Sequence, residues 1–183
     1  MIHNSDNHYG LISILIHWLM ALCIFFMFGL GLYMVELNYY DSWYRGSLQL
    51  HKSLGICLMF SLALRIAWKL VQTSPKPLAG PKWEQVAARA MHILLYVVLI
   101  ILMLTGYLIS TADGRAILVF DLFSIPALGA SIENQEDIAG QAHLILAWFL
   151  ITMVAMHALA ALKHQFINQD GGLSRMLKPS PKK

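Results

Sequence analysis

Eight histidines occur in this chain of 183 residues. Five of them, His17, His51, His92, His143 and His157, fall inside long apolar stretches. Neutral imidazole is the commonest protein ligand of transition metals. An ionisable side chain within a membrane span is costly and asks for a function. Taken singly, each histidine has a plain alternative, a hydrogen bond to a backbone carbonyl or a neighbouring helix. The set says more. His143 and His157 are fourteen residues apart, which on a helix is about 1400°, roughly 40° short of four turns, with a rise of about 21 Å. They share one face at two depths. Two histidines facing each other across a helical bundle can hold a flat iron macrocycle from both sides. Zinc would want three or four ligands at one depth, whereas this sequence offers pairs. No Cys-x-x-Cys-His run occurs, which excludes covalent c-type attachment.

The elements that must position these residues are membrane helices. Hydrophobic residues make up 58% of the chain and charged residues 13%, against about 25% charged in a soluble domain. That composition excludes disorder and disfavours a soluble enzyme with one compact core. Nucleic-acid binding is disfavoured by a net charge of only +3 and the lack of a basic run interleaved with aromatics. Cys23 and Cys57 cannot make a disulfide framework and read as packing residues. A span needs about 20 mostly apolar residues. Residues 7–35, 90–112 and 138–162 contain no charged side chain. Residues 48–71 make a fourth span if Lys52 and Arg65 snorkel. The expectation is an all-α, integral membrane four-helix bundle, with helices over 10–35, 48–71, 86–110 and 141–167. The loop after the third helix is long enough for a short surface helix. Ten of the thirteen basic residues flank one side of the membrane, and seven of the ten acids flank the other. Both termini are therefore expected in the cytoplasm.

That orientation pairs the histidines by depth. The first helix starts at the inner side with His17, and the second starts at the outer side with His51. His51 can meet His143 at the outer level, and His17 can meet His157 at the inner level. Each of these four is followed, four residues on, by a small residue: Ala21, Gly55, Ala147 and Ala161. A macrocycle lying along a helix needs that room on the shared face. His92 is followed by Tyr96 and lies three residues from Arg89, so it is set aside as a ligand. Two bis-histidine haems leave no open coordination site, which points to electron transfer. Lys52, beside His51, is a candidate propionate or anion contact, with Arg45 and Arg115 on nearby loops. His164 lies seven residues past His157 on the same face and is a candidate quinone contact. Trp18 and Trp148 read as core filling near the ligand positions, and Gly29 and Gly31 as aids to close helix contact. His3 and His8 have no assigned role.

The ordered motifs resemble the bacterial cytochrome b561 family over nearly the whole chain. They are Ile16-His17-Trp18-Leu19, His51-Lys52-Ser53-Leu54-Gly55-Ile56, Gly106-Tyr107, Ala142-His143, Met156-His157-Ala158-Leu159-Ala160-Ala161, and Lys163-His164-Gln165-Phe166 followed by Arg175-Met176. The resemblance implies one transmembrane cytochrome b domain over residues 1–183, in the bacterial inner membrane, with two haem b groups. The family's axial ligands match His17 and His157 for the inner iron, and His51 and His143 for the outer iron. Family members carry electrons between the periplasmic side and the quinone pool. One type is a superoxide:ubiquinone oxidoreductase, in which a histidine seven residues past the last ligand lies near quinone; His164 matches it. The acidic outer stretch from Glu133 to Asp137 departs from what an anionic substrate would favour. The chain is thus expected to be an electron carrier at minimum. A second reading is a haem-bearing membrane subunit or anchor for a periplasmic redox partner, because b-type subunits of hydrogenases and related dehydrogenases share the architecture. A homodimer is a further candidate assembly. A haem-free transporter of this length would need to oligomerise.

Overall fold

The computed structural model describes residues 2–128 and 132–179. Four long helices dominate: α1 (Leu11–Glu36), α2 (Tyr44–Val71), α3 (Lys82–Ser110) and α4 (Gln135–Phe166). All four are long and apolar enough to cross a membrane. Their outward-facing side chains are those that lipid would solvate, such as Leu19, Leu22 and Ile145, each about two-thirds exposed.

Helices α2, α3 and α4 begin four to six residues before the expected positions. The apolar stretches mark only part of each helix. Their first turns lie in polar sequence that suits a helix start. Glu136 and Asp137 occupy the first turn of α4, and Glu84 that of α3, where the helix dipole favours acids. Lys163 and His164 occupy the last turn of α4, where cations are favoured.

Among its described residues the third loop forms no surface helix of the kind its length allows. It forms an antiparallel hairpin, β1 (Ile117–Val119) and β2 (Phe123–Ile125), with Ile117 opposite Ile125 and Val119 opposite Phe123. β-branched and aromatic residues fill both strands. The turn has Phe120 and Asp121 in the left-handed region, at φ 48° and 58°, the twist that a tight hairpin requires. Phe120 is an unusual choice there.

The chain divides into two compact units. Unit 1 comprises residues 1–21, 61–96 and 152–183. Its tails and loop are knitted by polar bonds. The Asn4 amide donates to Gln72 Oε1, the Lys76 amide to the Asp6 carbonyl, Trp18 Nε1 to the Met176 carbonyl, and Arg175 to the Lys76 carbonyl. Gly10 is required because a Cβ there would collide with the backbone of Ile2 and His3. Unit 2 comprises residues 22–60 and 97–151. Here the hairpin buries Ile117 and Val119 against Ile56, flanked by Cys57, Met59, Tyr107 and Ile125. The buried Ser53 hydroxyl accepts from the Phe120 amide, and Gln49 donates to the Leu118 carbonyl. The first of these bonds pins the left-handed turn.

Candidate functional site

In unit 2, α2 supplies His51 and α4 supplies His143. Their ring centres are 6.3 Å apart, with the planes at 71°. His143 Nδ1 lies 3.0 Å from the Leu102 carbonyl oxygen and 3.1 Å from Thr105 Oγ1. A carbonyl can only accept, so Nδ1 carries the proton and Nε2 keeps its lone pair. Thr105 Oγ1 spends its own proton on the same carbonyl, at 2.8 Å, and is left to accept. Two glycines make room for the rings. A Cβ at Gly106 would stand 3.1 Å from His143 Cε1, and one at Gly31 3.4 Å from His51 Cε1. Gly31 therefore admits a histidine ring, whereas Gly29 faces open space. His51 Nδ1 is buried without a hydrogen-bond partner, alone among side-chain atoms of the described residues. Such an atom bears a desolvation cost of about 1–3 kcal/mol unless something satisfies it.

Around this pair the expected cations differ in availability. Arg115 is bound to Asp113 at 2.5 Å, and its hydrogen bonds hold the Asp113 carboxyl below the usual carboxylate range. Arg45 donates to Tyr39 Oη at 2.5 Å. Lys52 has no carboxylate within 4.0 Å among the described residues.

In unit 1, α1 supplies His17 and α4 supplies His157. Their ring centres are 6.5 Å apart, with the planes at 75°. His92 on α3, set aside on depth, joins this cluster, its ring 5.2 Å from that of His157. Arg65 on α2 is a second residue whose place the sequence reading missed. Its Nη2 donates to His17 Nδ1 at 3.0 Å and its Nε to Tyr96 Oη at 2.9 Å. Lys69 lies one turn on, its Nζ 4.9 Å from the centre of the Tyr96 ring. The four-residue spacings of Arg65 to Lys69 and of His92 to Tyr96 were the available signal, since such pairs share a helix face. Trp18 stands edge-on to His17, with ring centres 5.3 Å apart. In unit 2, Trp148 packs edge-on against Phe28.

His164 occupies a separate polar cluster of unit 1. Its Nδ1 lies 2.5 Å from Asp170 Oδ2, and its Nε2 3.8 Å from Glu84 Oε2. Lys163 binds Glu84 at 2.7 Å. Burial works against the Asp170 carboxylate, but hydrogen bonds from His164 and the Gly172 amide, with the charges of His164 and Arg175, hold it below the usual range. His3, given no role, stacks on Trp68.

Known proteins match nearly the whole of the chain. The family described as prokaryotic cytochrome b561 matches residues 8–179. Cytochrome b561 homolog 2 of Escherichia coli (strain K12) is 46% identical over 175 residues, covering 95% of this chain and 93% of that protein. A probable superoxide oxidase CybB of Yersinia pestis is 28% identical over 181 residues, covering 96% and 97%. Cytochrome b561 homolog 1 of Escherichia coli (strain K12) is also 28% identical, covering 93% and 97%.

Proposed function

The chain belongs to the prokaryotic cytochrome b561 family, and on that premise we propose that it carries electrons between the periplasmic side of the bacterial inner membrane and the quinone pool through two b-type haems. As a family member it is a multi-pass membrane haem protein of electron transfer. The observation that carries the finer reading is the pair of crossed histidine couples.

The spacing of the paired rings fits the group. Two metal–imidazole bonds of about 2 Å each, with the ring radii added, separate opposed ring centres by roughly 6 Å. The couples His51–His143 and His17–His157 stand at 6.3 and 6.5 Å. His92 and His157, at 5.2 Å, are too close to admit an iron between opposed rings. His17 with His157, and His51 with His143, are therefore the residues that would hold the two haem irons in this reading. Bound there, haem supplies a reversible one-electron iron couple. Leu102 and Thr105 orient His143 and fix its tautomer, the support that metal-bound histidines commonly receive. Gly31 and Gly106 let the His51 and His143 rings lie close against helix backbones. Lys52, which lies in no close ion pair among the described residues although its charge reaches Asp113, is the cation beside His51 for a propionate. His164, bonded to Asp170, holds a proton where ubiquinone, the proposed partner on the cytoplasmic side, takes up two protons with two electrons. The charge asymmetry of the loops supports cytoplasmic termini.

Superoxide as donor is supported by the name of the Yersinia pestis relative. Two superoxide anions would each give one electron and leave as dioxygen, for each quinone reduced. The acidic stretch Glu133 to Asp137 and the pairing of Arg115 with Asp113 weigh toward a basic periplasmic redox protein instead. The test is direct. The purified chain, given a water-soluble ubiquinol analogue, should show reduction of its b haems, and superoxide should then drive quinone reduction. Haem reduction by quinol without turnover by superoxide would leave the partner-protein reading. Failure of quinol to exchange electrons with the haems would remove the quinone assignment.

A further inference from the structure

The donor chemistry around His17 conflicts with the role proposed for it. A guanidinium has five N–H donors and no acceptor. His17 Nδ1, at 3.0 Å from Arg65 Nη2, must therefore accept, and the neutral ring carries its proton on Nε2. An imidazole that binds iron through Nε2 needs the opposite tautomer. Arg65 and an iron on Nε2 thus exclude each other at His17. His143 shows the contrasting case, with Nδ1 facing a carbonyl and Nε2 already free.

Arg65 is also a cation without a counter-anion. Neither Arg65 nor Lys69 has a carboxylate within 4.0 Å among the described residues. Both lie in a membrane-spanning helix, where an uncompensated charge is costly and marks a partner. Both flank Tyr96, and the Tyr96 hydroxyl gives the guanidinium a second attachment at 2.9 Å. That attachment lets Arg65 release His17 without losing its place. A planar, bidentate donor beside a point cation suits a carboxylate.

Resting on the two-haem reading, we propose that Arg65 anchors a haem carboxylate at the His17–His157 pair, and that haem entry moves its guanidinium from His17 Nδ1 to that carboxylate. Lys69 adds its charge to the same anion. In the haem-free chain Arg65 holds His17 in the tautomer that does not bind iron. In the loaded chain it fixes the macrocycle and leaves Nδ1 to donate.

The experiment compares purified wild-type, Arg65→Gln and Arg65→Lys proteins. Potentiometric titration reads the midpoint of each haem, and transfer to apomyoglobin reads the rate of haem loss. In Arg65→Gln one haem should fall in potential, because a nearby cation favours the reduced state. The same haem should leave about tenfold faster, as expected for loss of a charge-assisted pair. The other haem should not change, and Arg65→Lys should recover most of the potential. Two haems with unchanged potentials and loss rates in Arg65→Gln would overturn the proposal while leaving the two-haem reading intact. Loss of bound anionic lipid with unmoved haem potentials would also overturn it, by assigning Arg65 to a headgroup. A wild-type chain with fewer than two haems would instead sink the underlying function. If Arg65→Gln does not fold, carboxyl-labelled haem in the wild-type protein decides by infrared. A band shifted by ion pairing supports the anchor, and a free-carboxylate band contradicts it.

Discussion

The two histidine pairs share α4, which meets α2 in one pair and α1 in the other, and they are supported by opposite means. His143 in unit 2 is held by acceptors, the Leu102 carbonyl and Thr105, and its Nε2 is already free. His17 in unit 1 is held by a donor, Arg65, and must exchange partners before its Nε2 is free. Glycine backbones make room for the first pair, while a cluster of cations, Tyr96 and His92 surrounds the second. The segments outside the helices differ in the same sense. The hairpin of unit 2 is held largely by apolar burial of Ile117 and Val119. The C-terminal tail of unit 1 is held by charged and polar bonds around Asp170, Gln165 and Arg175. In the proposed reading, His143 is set in advance of a haem, whereas His17 must be rearranged to hold one.

That contrast can be broken at the glycines. Gly106→Ala places a methyl 3.1 Å from a ring that two hydrogen bonds keep from yielding. Haem loss from the unit 2 pair should rise about tenfold, a cost of about 1.4 kcal/mol. Gly29→Ala, which meets nothing within 4 Å, should leave both haems unaffected. Equal behaviour of the two variants in a haem-transfer assay would remove the claim that unit 2 is preset by close approach.

A smaller effect separates the tail from the hairpin. The Asp170 carboxyl is held below its ordinary range in the folded chain. A depressed folded pKa contributes stability above the unfolded value, and that stability is lost as pH falls through the folded value. Acidification through that range should therefore lower the amide-exchange protection factors of residues 167–178, relative to the intrinsic rate at each pH, while residues 117–125 stay protected. Asp170→Asn should show fast exchange of the tail already at neutral pH and little further change on acidification. An acid-induced loosening of equal size in the variant would assign the effect to another group.

Much of this was legible in the sequence because membrane physics is coarse. Charge-free runs located three helices, snorkelling of Lys52 and Arg65 admitted the fourth, and the fourteen-residue spacing put His143 and His157 on one face. Boundaries were less legible, since polar first turns such as Gln135-Glu136-Asp137 continue a helix that hydropathy cannot see. The hairpin was missed because its strands are only three residues each and its turn starts with Phe120, not with glycine. Arg65 and His92 were missed for another reason. Their roles rest on which neighbour they meet across helices, and that depends on rotation about each axis, which spacing along one helix does not set. Gly106 entered only through a family motif, although its place under His143 follows from packing.

The central claim is that two crossed histidine pairs each hold one haem. Non-covalent haem per chain, with a reduced-minus-oxidised spectrum, should be measured on the purified wild-type protein and on His157→Ala. The account predicts two low-spin b haems in the wild type and one in the variant, the survivor being the His51–His143 group. A colourless wild-type chain, or a variant that keeps both haems with unchanged spectra, would contradict it.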